Sequence, residues 1–410
     1  MASIRKRSWK YGGETKTAWV ADYFGPDVDA NGKPRRHQKT FATKKDADAW
    51  LVETRHEVAQ GTHTPESASI TVAEAADMWL AAGELNGLER STMKQYQNHV
   101  THHLKPLLGS VMLAKLTTPG VEKFAKNLIG RSTANGSALI LSRSTAKKVL
   151  SSLKGIIREA QRQGQIAKNP ADPVSIRVSS RGTRKIRAGR DFPTKDEVNL
   201  LLRMVAGRWR PLIVTAVFTG LRSSELRGLR WEDVDFGAKA IHVRQRADAW
   251  GEMGAPKSEA GERTIPMTPM VATMLKEWKL QCPRKGKGRQ GKDDPGVLDL
   301  VFPNGEGKTE NHANIANRGF YALQLACDIA RAGSRKDEKD EPVLRAKYGL
   351  HTLRHFFASW LIEQNFSPKK VQALLGHKSM QMTYDVYGHL FPNLEDDHAR
   401  MAAGEAALVR

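Results

Sequence analysis

The spacing of apolar residues changes twice along this chain, and each change limits which segments can fold together. Up to about residue 62 the pattern alternates as a strand does. Trp19-Val20-Ala21-Asp22-Tyr23-Phe24 is rich in β-formers, and Asp29-Ala30-Asn31-Gly32-Lys33-Pro34 carries the Asn-Gly hairpin signal ahead of Arg35-Arg36-His37-Gln38-Lys39-Thr40-Phe41. Thr43 then caps a helix with Asp46 in its first turn, and Ala47, Trp50, Leu51, Thr54 and Val58 give that helix one face for the hairpin. From 68 to about 170 the period is helical. Thr71 and Glu74 form a capping box before the stripe Val72, Ala75, Ala76, Trp79, Leu80. Further helices are expected from Ser91 past Val100, from Pro119 to Leu128 and from Ser144 to Gln163. Asn169-Pro170-Ala171-Asp172-Pro173 ends the bundle, 171–190 reads as a linker, 191–395 as the largest unit, and 396–410 as a C-terminal tail. The expected class is α+β and multidomain. It comprises a small sheet-plus-helix module, an all-α bundle, and a mainly α domain with a small antiparallel sheet.

Charge narrows the partner. Lysine plus arginine number 65 against 44 acidic residues, a net charge of +21, which favours a polyanion over an ordinary small substrate. The bland alternative is a generically positive surface. The basic residues fall in three places. Lys16, Arg35, Arg36 and Lys39 lie on the strands of the first module, while Lys94, Lys147 and Lys148 lie on polar helix faces. Between Arg177 and Arg190 every charge is positive, including Arg181, Arg184, Lys185 and Arg187, as an extended segment tracking phosphates would require. Residues 283–296 and 333–342 are polar and read as surface loops.

Two cysteines, Cys282 and Cys327, exclude a disulfide framework and a thiolate zinc site. His99, His102 and His103 lack a carboxylate or cysteine to complete a metal set. The N-terminus has no apolar run, and no stretch approaches the roughly 18 apolar residues of a membrane span. The expectation is a soluble, cytoplasmic protein with no membrane contact.

The last unit carries a scattered set of chemical groups. In Thr219-Gly220-Leu221-Arg222-Ser223-Ser224-Glu225-Leu226, Arg222 stands at a helix junction where it can hold an anion or simply pair with Glu225. Lys257 lies in a hairpin loop between Ile241-His242-Val243-Arg244 and Arg263-Thr264-Ile265. His351 and Arg354 are one helical turn apart, and His351-Thr352-Leu353-Arg354-His355 lacks the glutamate of a zinc-peptidase helix. His377 follows Gly376, which can stop a helix. Tyr387, before Gly388, would end a short helix with its phenol free to reach outward. Such a set suits phosphoryl transfer without metal. Arginine forks hold the phosphate, histidine and lysine move protons, and tyrosine attacks phosphorus.

Taken together, Arg222, Lys257, His351-x-x-Arg354, Gly376-His377 and Tyr387-Gly388-His389 resemble the tyrosine recombinases of the phage-integrase family. The resemblance covers nearly the whole chain. It implies an arm-type DNA-binding domain at 1–62, a helical core-binding domain at 68–170 and a catalytic domain at 191–395. It implies that Arg222, Arg354 and His377 bind the scissile phosphate, with His351 as proton acceptor or hydrogen-bonding partner. Tyr387 would form a 3′-phosphotyrosyl link while Lys257 protonates the departing 5′-oxygen. No cofactor is implied. In many members the nucleophile stands one residue closer to the glycine–histidine pair, so Tyr384 is a rival. The implied function is integration or excision of a phage or other mobile element. The implied partners are double-stranded DNA with core-type and arm-type sites, three further copies of the chain in a tetramer, an excisionase and a host DNA-bending protein, at the bacterial nucleoid. A Xer-type dimer resolvase is the alternative. A type IB topoisomerase and a non-catalytic regulator on the same fold are more distant rivals.

Overall fold

Thr43, Thr71, Ser142, Thr194, Thr268, Ser367 and Ser379 each precede a helix and accept a hydrogen bond from a backbone N–H of its first turn. These caps satisfy donors that a helix start leaves open, so short polar side chains set many of the boundaries. The computed structural model describes residues 3–12, 14–28, 32–60, 69–130, 141–177, 185–283, 299–336, 340–391 and 397–409. The chain divides into two units, Met1–Ser179 and Ser180–Arg410.

In the first unit, β1 (Ser3–Tyr11), β2 (Glu14–Val28) and β3 (Pro34–Phe41) form an antiparallel sheet in that order. Helix α1 (Lys44–Ala59) covers one face, where Ala21, Tyr23, Ala47 and Leu51 are buried with Trp19, Phe41 and Trp50 against them. Because strand side chains alternate, the even-numbered residues of β2 fall on the other face. Cross-strand pairing places Arg5 opposite Val20, Arg7 opposite Ala18, Trp9 opposite Lys16 and Arg36 opposite Phe24.

The bundle follows as α2 (Val72–Leu85), α3 (Arg90–His99), α4 (Lys105–Leu108), α5 (Thr118–Gly130) and α6 (Arg143–Arg162). A wider helical turn, Val100–Leu104, joins α3 to α4. Val72, Ala76, Leu104, Phe124, Leu153 and Ile157 fill the core. Gly155 lets the Trp79 ring lie on α6; a β-carbon there would come within 3.2 Å of it.

The second unit begins with α7 (Lys195–Met204), α8 (Trp209–Thr219) and α9 (Ser223–Gly228). Strands β4 (Val234–Asp235), β5 (Ala240–Val243) and β8 (Arg263–Pro266) form one antiparallel sheet in that order, with β6 (Arg246–Ala247) and β7 (Met253–Gly254) as a separate ribbon. Then come α10 (Pro269–Gln281), α11 (His312–Asn314) and α12 (Ala322–Ala326). A second hairpin, β9 (Ala330–Lys336) with β10 (Pro342–Ala346), is followed by α13 (Thr352–Glu363), α14 (Pro368–Leu375), α15 (Met380–Tyr387) and α16 (Asp397–Leu408). Leu212, Ile213, Val217, Ile241, Ile265, Leu275, Phe320 and Leu353 belong to its main core, and Phe357, Leu361, Val371, Leu375 and Tyr387 to a satellite core.

Two expectations change. Of the segment 333–342, read as a surface loop, residues 333–336 lie in β9 and Pro342 begins β10, two paired strands that are mostly exposed, while 337–339 lie outside the described residues. Backbone pairing builds these strands without the apolar alternation that a half-buried strand would show. Most of 283–296 lies outside the described residues, as do Arg181 and Arg184 of the expected linker. The described end of that linker is not free chain. Gly189 N–H donates to Phe192, Arg187 N–H to Asp191, and His389 Nε2 lies 2.7 Å from the Ile186 carbonyl oxygen.

Candidate active site

Two left-handed glycines bring the site together. Gly220, at φ +58°, ends α8 and turns the chain so that Arg222 stands just before α9. A β-carbon at Gly220 would press within 2.4 Å of Phe357. Gly376, at φ +63°, ends α14, and a β-carbon there would meet the Ala260 carbonyl oxygen at 2.8 Å. Both positions therefore need glycine for conformation and for space.

Three guanidiniums and one carboxylate lie between these turns. Glu225 is 3% exposed and accepts from Arg222 Nη1 at 2.7 Å, from Arg222 N–H at 2.8 Å, and from Arg263 at 2.9 and 3.1 Å. Burial raises its pKa, but the hydrogen bonds and charge of Arg263 and the charge of Arg222 outweigh that and hold it at about 2. Arg263 also donates to the carbonyls of Leu374 and Gly261, so its fork is largely committed. Arg222 donates its second nitrogen to the Gly376 carbonyl at 3.0 Å. Arg354 is 3% exposed and donates to the carbonyls of Gly220 and Leu375. No ion pair is formed by Arg354 among the described residues. Burial, then the charges of Arg222 and Arg263, lower its pKa to about 9, so it stays charged at neutral pH.

A cavity of about 290 Å³ opens beside Arg354, lined also by His351, His355, His377, Asp385 and Tyr387. His377 is buried, with Nδ1 2.9 Å from Thr383 Oγ1, and its ring lies nearly parallel to that of Tyr387, 7° apart. Burial and then the three arginine charges push its pKa down to about 3. His351 presents much of its surface to solvent, yet dense protein around the ring removes hydration. That loss, then the charges of His355, Arg354 and Arg222, hold it well below the ordinary imidazole value. His355 is lowered by burial and by Arg354, against a smaller opposing pull from Asp191. All three histidines are neutral at pH 7.

Tyr387 does end α15, but its phenol does not point outward. The residue is 1% exposed, and its oxygen lies 2.8 Å from His355 Nδ1. Helical side chains lean toward the helix N-terminus, and here that direction leads into the cavity. Burial raises the phenol to about 12 against the lowering effect of Arg354. Tyr384 is 47% exposed, with its ring 5.9 Å from Phe391, and does not line the cavity.

Lys257 is exposed on the segment between β7 and β8 and is not among the residues lining the cavity. On the N-terminal sheet, Lys16 and Arg36 share the open face, whereas Arg35 and Lys39 lie on the α1 side, with the Lys39 ammonium 5.2 Å from the Trp50 ring centre. The sequence reading missed Arg5 and Arg7, which strand pairing puts beside Lys16 and Arg36. Lys94, Lys147, Lys148, Lys185 and Arg187 are exposed as expected of solvated faces. His99 is a core residue, with Nδ1 2.8 Å from Ser152 Oγ. No three metal-ligating side chains cluster among the described residues. Also missed were Arg263, whose partners are remote in sequence, and His355, which was weighed only as part of a zinc helix. Its position one turn from His351 was the available signal.

Comparison with known proteins follows the same lines. Residues 191–393 match the phage integrase family. A tyrosine recombinase described as XerC-like, from Caldanaerobacter subterraneus subsp. tengcongensis, is 25% identical over 385 residues, 89% of this chain and 90% of the relative. The fold is similar to that of the Tn1549 transposon integrase in complex with a circular intermediate DNA, with a TM-score of 0.61 at 21% identity over 82% of this chain and 100% of the other. It is also similar to a lambda integrase tetramer bound to a Holliday junction, with a TM-score of 0.54 at 18% identity over 92% and 96% of the two chains.

Proposed function

We propose that this chain, which belongs through residues 191–393 to the phage integrase family of tyrosine recombinases, integrates or excises a mobile genetic element. It is a site-specific recombinase that cleaves and rejoins DNA. The single observation that carries the residue assignment is the burial of Tyr387 beside Arg354, a buried cation that forms no ion pair among the described residues. Two of the three guanidiniums share one carboxylate and Arg354 pairs with none among the described residues, so the site holds surplus positive charge in a place where charge is costly. A phosphate entering the cavity mouth would meet that need. Arg222, less buried than Arg263, and Arg354 would hold its oxygens and stabilise the charge that builds as phosphorus is attacked.

In this reading the Tyr387 oxygen forms the bond to phosphorus and the 5′-oxygen leaves. With Thr383 donating to Nδ1, neutral His377 presents Nε2–H as a hydrogen-bond donor to the phosphate, and His351 hydrogen-bonds at the cavity rim. Lys257, on an exposed segment, would swing in with the DNA and protonate the leaving 5′-oxygen. The free 5′-hydroxyl of a partner strand then attacks the phosphotyrosine, so the bond energy is conserved and no nucleotide is consumed.

DNA is the substrate, and four copies of the chain act on it together, as in the lambda tetramer on a Holliday junction. The open sheet face reads arm-type sites through Arg5, Arg7, Lys16 and Arg36. The bundle, through Lys94, Lys147 and Lys148, holds core-type sites together with Lys185 and Arg187. An excisionase and a host DNA-bending protein complete the assembly at the nucleoid. No described helix is long and apolar enough to cross a membrane. The XerC-like relative keeps a dimer-resolvase reading in view, and the two are separated by substrate. An integrase recombines an element site with a different chromosomal site, whereas a resolvase recombines two copies of one short site on a single supercoiled plasmid. Efficient resolution of paired short sites, with no reaction between unlike sites, overturns the integrase reading.

A further inference from the structure

We propose that His355 is the base that takes the proton of Tyr387 as the phenol oxygen attacks phosphorus. This rests on Tyr387 being the nucleophile, as argued above. The two groups are already hydrogen-bonded, His355 Nδ1 and Tyr387 Oη being 2.8 Å apart. The other two histidines of the cavity are placed differently. His377 directs Nδ1 to Thr383 and lies nearly parallel to the tyrosine ring, with ring centres 6.3 Å apart. The His351 ring stands perpendicular to that of His355, its centre 5.2 Å away. His355 is therefore the imidazole with a nitrogen at hydrogen-bond distance from the reacting oxygen, the first requirement of a general base.

The surroundings give that nitrogen a chemical task. A buried phenol releases its proton reluctantly, and burial here raises Tyr387 well above its ordinary value. Free phenolate is scarce at neutral pH, so the proton must leave as the oxygen–phosphorus bond forms. The charged and titratable groups facing His355 are His351 just before its own helix, Arg354 on that helix, Tyr387 and Asp385 on α15, His377 just before α15, and Asp191 ahead of α7. Burial and Arg354 keep the imidazole neutral and able to accept, and Asp191 favours the imidazolium that results.

The step balances within the site. The phenol O–H breaks, its proton passes to Nδ1, the oxygen–phosphorus bond forms, and the bond from phosphorus to the 5′-oxygen breaks. The leaving oxygen is protonated by the acid assigned to Lys257. In rejoining, the incoming 5′-hydroxyl returns its proton to Lys257 and displaces the phenolate, which regains its own proton from the imidazolium of His355. The base is thereby restored without any outside reactant.

The test is single-turnover cleavage of a nicked suicide core site by the full chain, read as covalent adduct against pH. His355→Asn should cleave about 10²–10⁴-fold more slowly at pH 7, the usual worth of a positioned base. Its rate should keep rising with pH where the parent protein has levelled off, because hydroxide replaces the missing base. Placing a fluorinated, more acidic tyrosine at position 387 should restore much of the variant's rate and change the parent little. A purely structural role for His355 would not produce that pattern. If His355→Asn fails to fold, His355→Ala assayed with added imidazole serves instead, and recovery that rises with the neutral imidazole concentration is the expected result. A parental rate and pH profile in His355→Asn overturns the assignment, as does a faster rate, which would make the bond a restraint on the phenol. Tyr387→Phe run alongside keeps the two readings apart. An adduct that persists in Tyr387→Phe removes the nucleophile assignment itself. Loss of the adduct there, with a normal His355→Asn, removes only the base.

Discussion

On the open face of the N-terminal sheet, Arg5, Arg7, Lys16 and Arg36 lie near one another because strand pairing puts them there. Arg5 and Arg36 are 59% and 52% exposed, and they flank the buried Asp22 at ion-pair distances of 3.4 and 3.1 Å. Around Tyr387 the arginines come from separate segments, and Arg222 reaches the carbonyl of Gly376, 154 residues further along. There Arg263 and Arg354 are buried and Arg222 is half-buried, and they are held by a carboxylate and backbone carbonyls. The contrast teaches what each surface is suited to do. Exposed charges attract a phosphate backbone at long range, are screened by salt, and tolerate the loss of one member. Buried charges are fixed before the substrate arrives, act where screening is weak, and collapse as a group when one is removed.

The sharpest break between the two surfaces is expected at Tyr387. Tyr387→Phe removes one oxygen and should abolish the denaturation-resistant DNA adduct while leaving DNA binding in a gel-shift assay intact. Tyr384→Phe should still form the adduct. An adduct lost only in Tyr384→Phe would move the nucleophile to the exposed ring. Next, Arg222→Ala and Arg354→Ala should each slow cleavage by roughly 10² or more, as the loss of a preorganised donor does.

Lys257→Ala should behave unlike the arginines because its proposed task is proton delivery. A substrate whose 5′-bridging oxygen is replaced by sulfur has a leaving group that needs no proton. It should restore cleavage by Lys257→Ala and leave Arg222→Ala and Arg354→Ala slow. Failure of that rescue would take the acid role away from Lys257.

Glu225 sharpens the comparison in stability rather than rate. Its pKa is lowered in the folded chain, from 4.5 to about 2. Its contribution is therefore fully present above pH 4.5 and lost as pH falls from there toward 2. Glu225→Gln should destabilise its unit by about 3–5 kcal/mol at neutral pH in denaturant melts, because it strands two guanidiniums. The gap to the parent protein should close as the solution is acidified through that window. A gap independent of pH would mean that the carboxylate's charge is not what matters.

The smallest effect is expected on the sheet. Arg36→Gln should reduce the log–log salt slope of arm-site binding by about 0.9, the value of one neutralised phosphate, without changing core cleavage. Arg35→Gln, on the α1 side, should leave the slope unchanged. Equal effects from both would erase the distinction between the two faces.

Much of this was legible in local sequence because the physics is local. The pairing of β2 with β3, the Thr43 cap, the Thr71–Glu74 capping box and the stripe on α6 depend on neighbours a few residues apart, and each appears where its pattern places it. The motif residues Arg222, His351, Arg354, His377 and Tyr387 could be named from their types and order. Their arrangement could not. Whether Tyr387 points to solvent depends on what packs against the last turn of α15, and only the tertiary structure brings His355 to its oxygen. Arg263 and Glu225 meet across 38 residues, and the pair holds the site through hydrogen bonds that no periodicity encodes. On the sheet, alternation alone could divide Arg35 from Arg36, but choosing which face stays open required knowing where α1 lies. Residue type and short-range spacing determine which groups the chain can offer. Burial, pKa and partnership depend on the whole surrounding volume, and that volume is assembled from segments far apart in sequence.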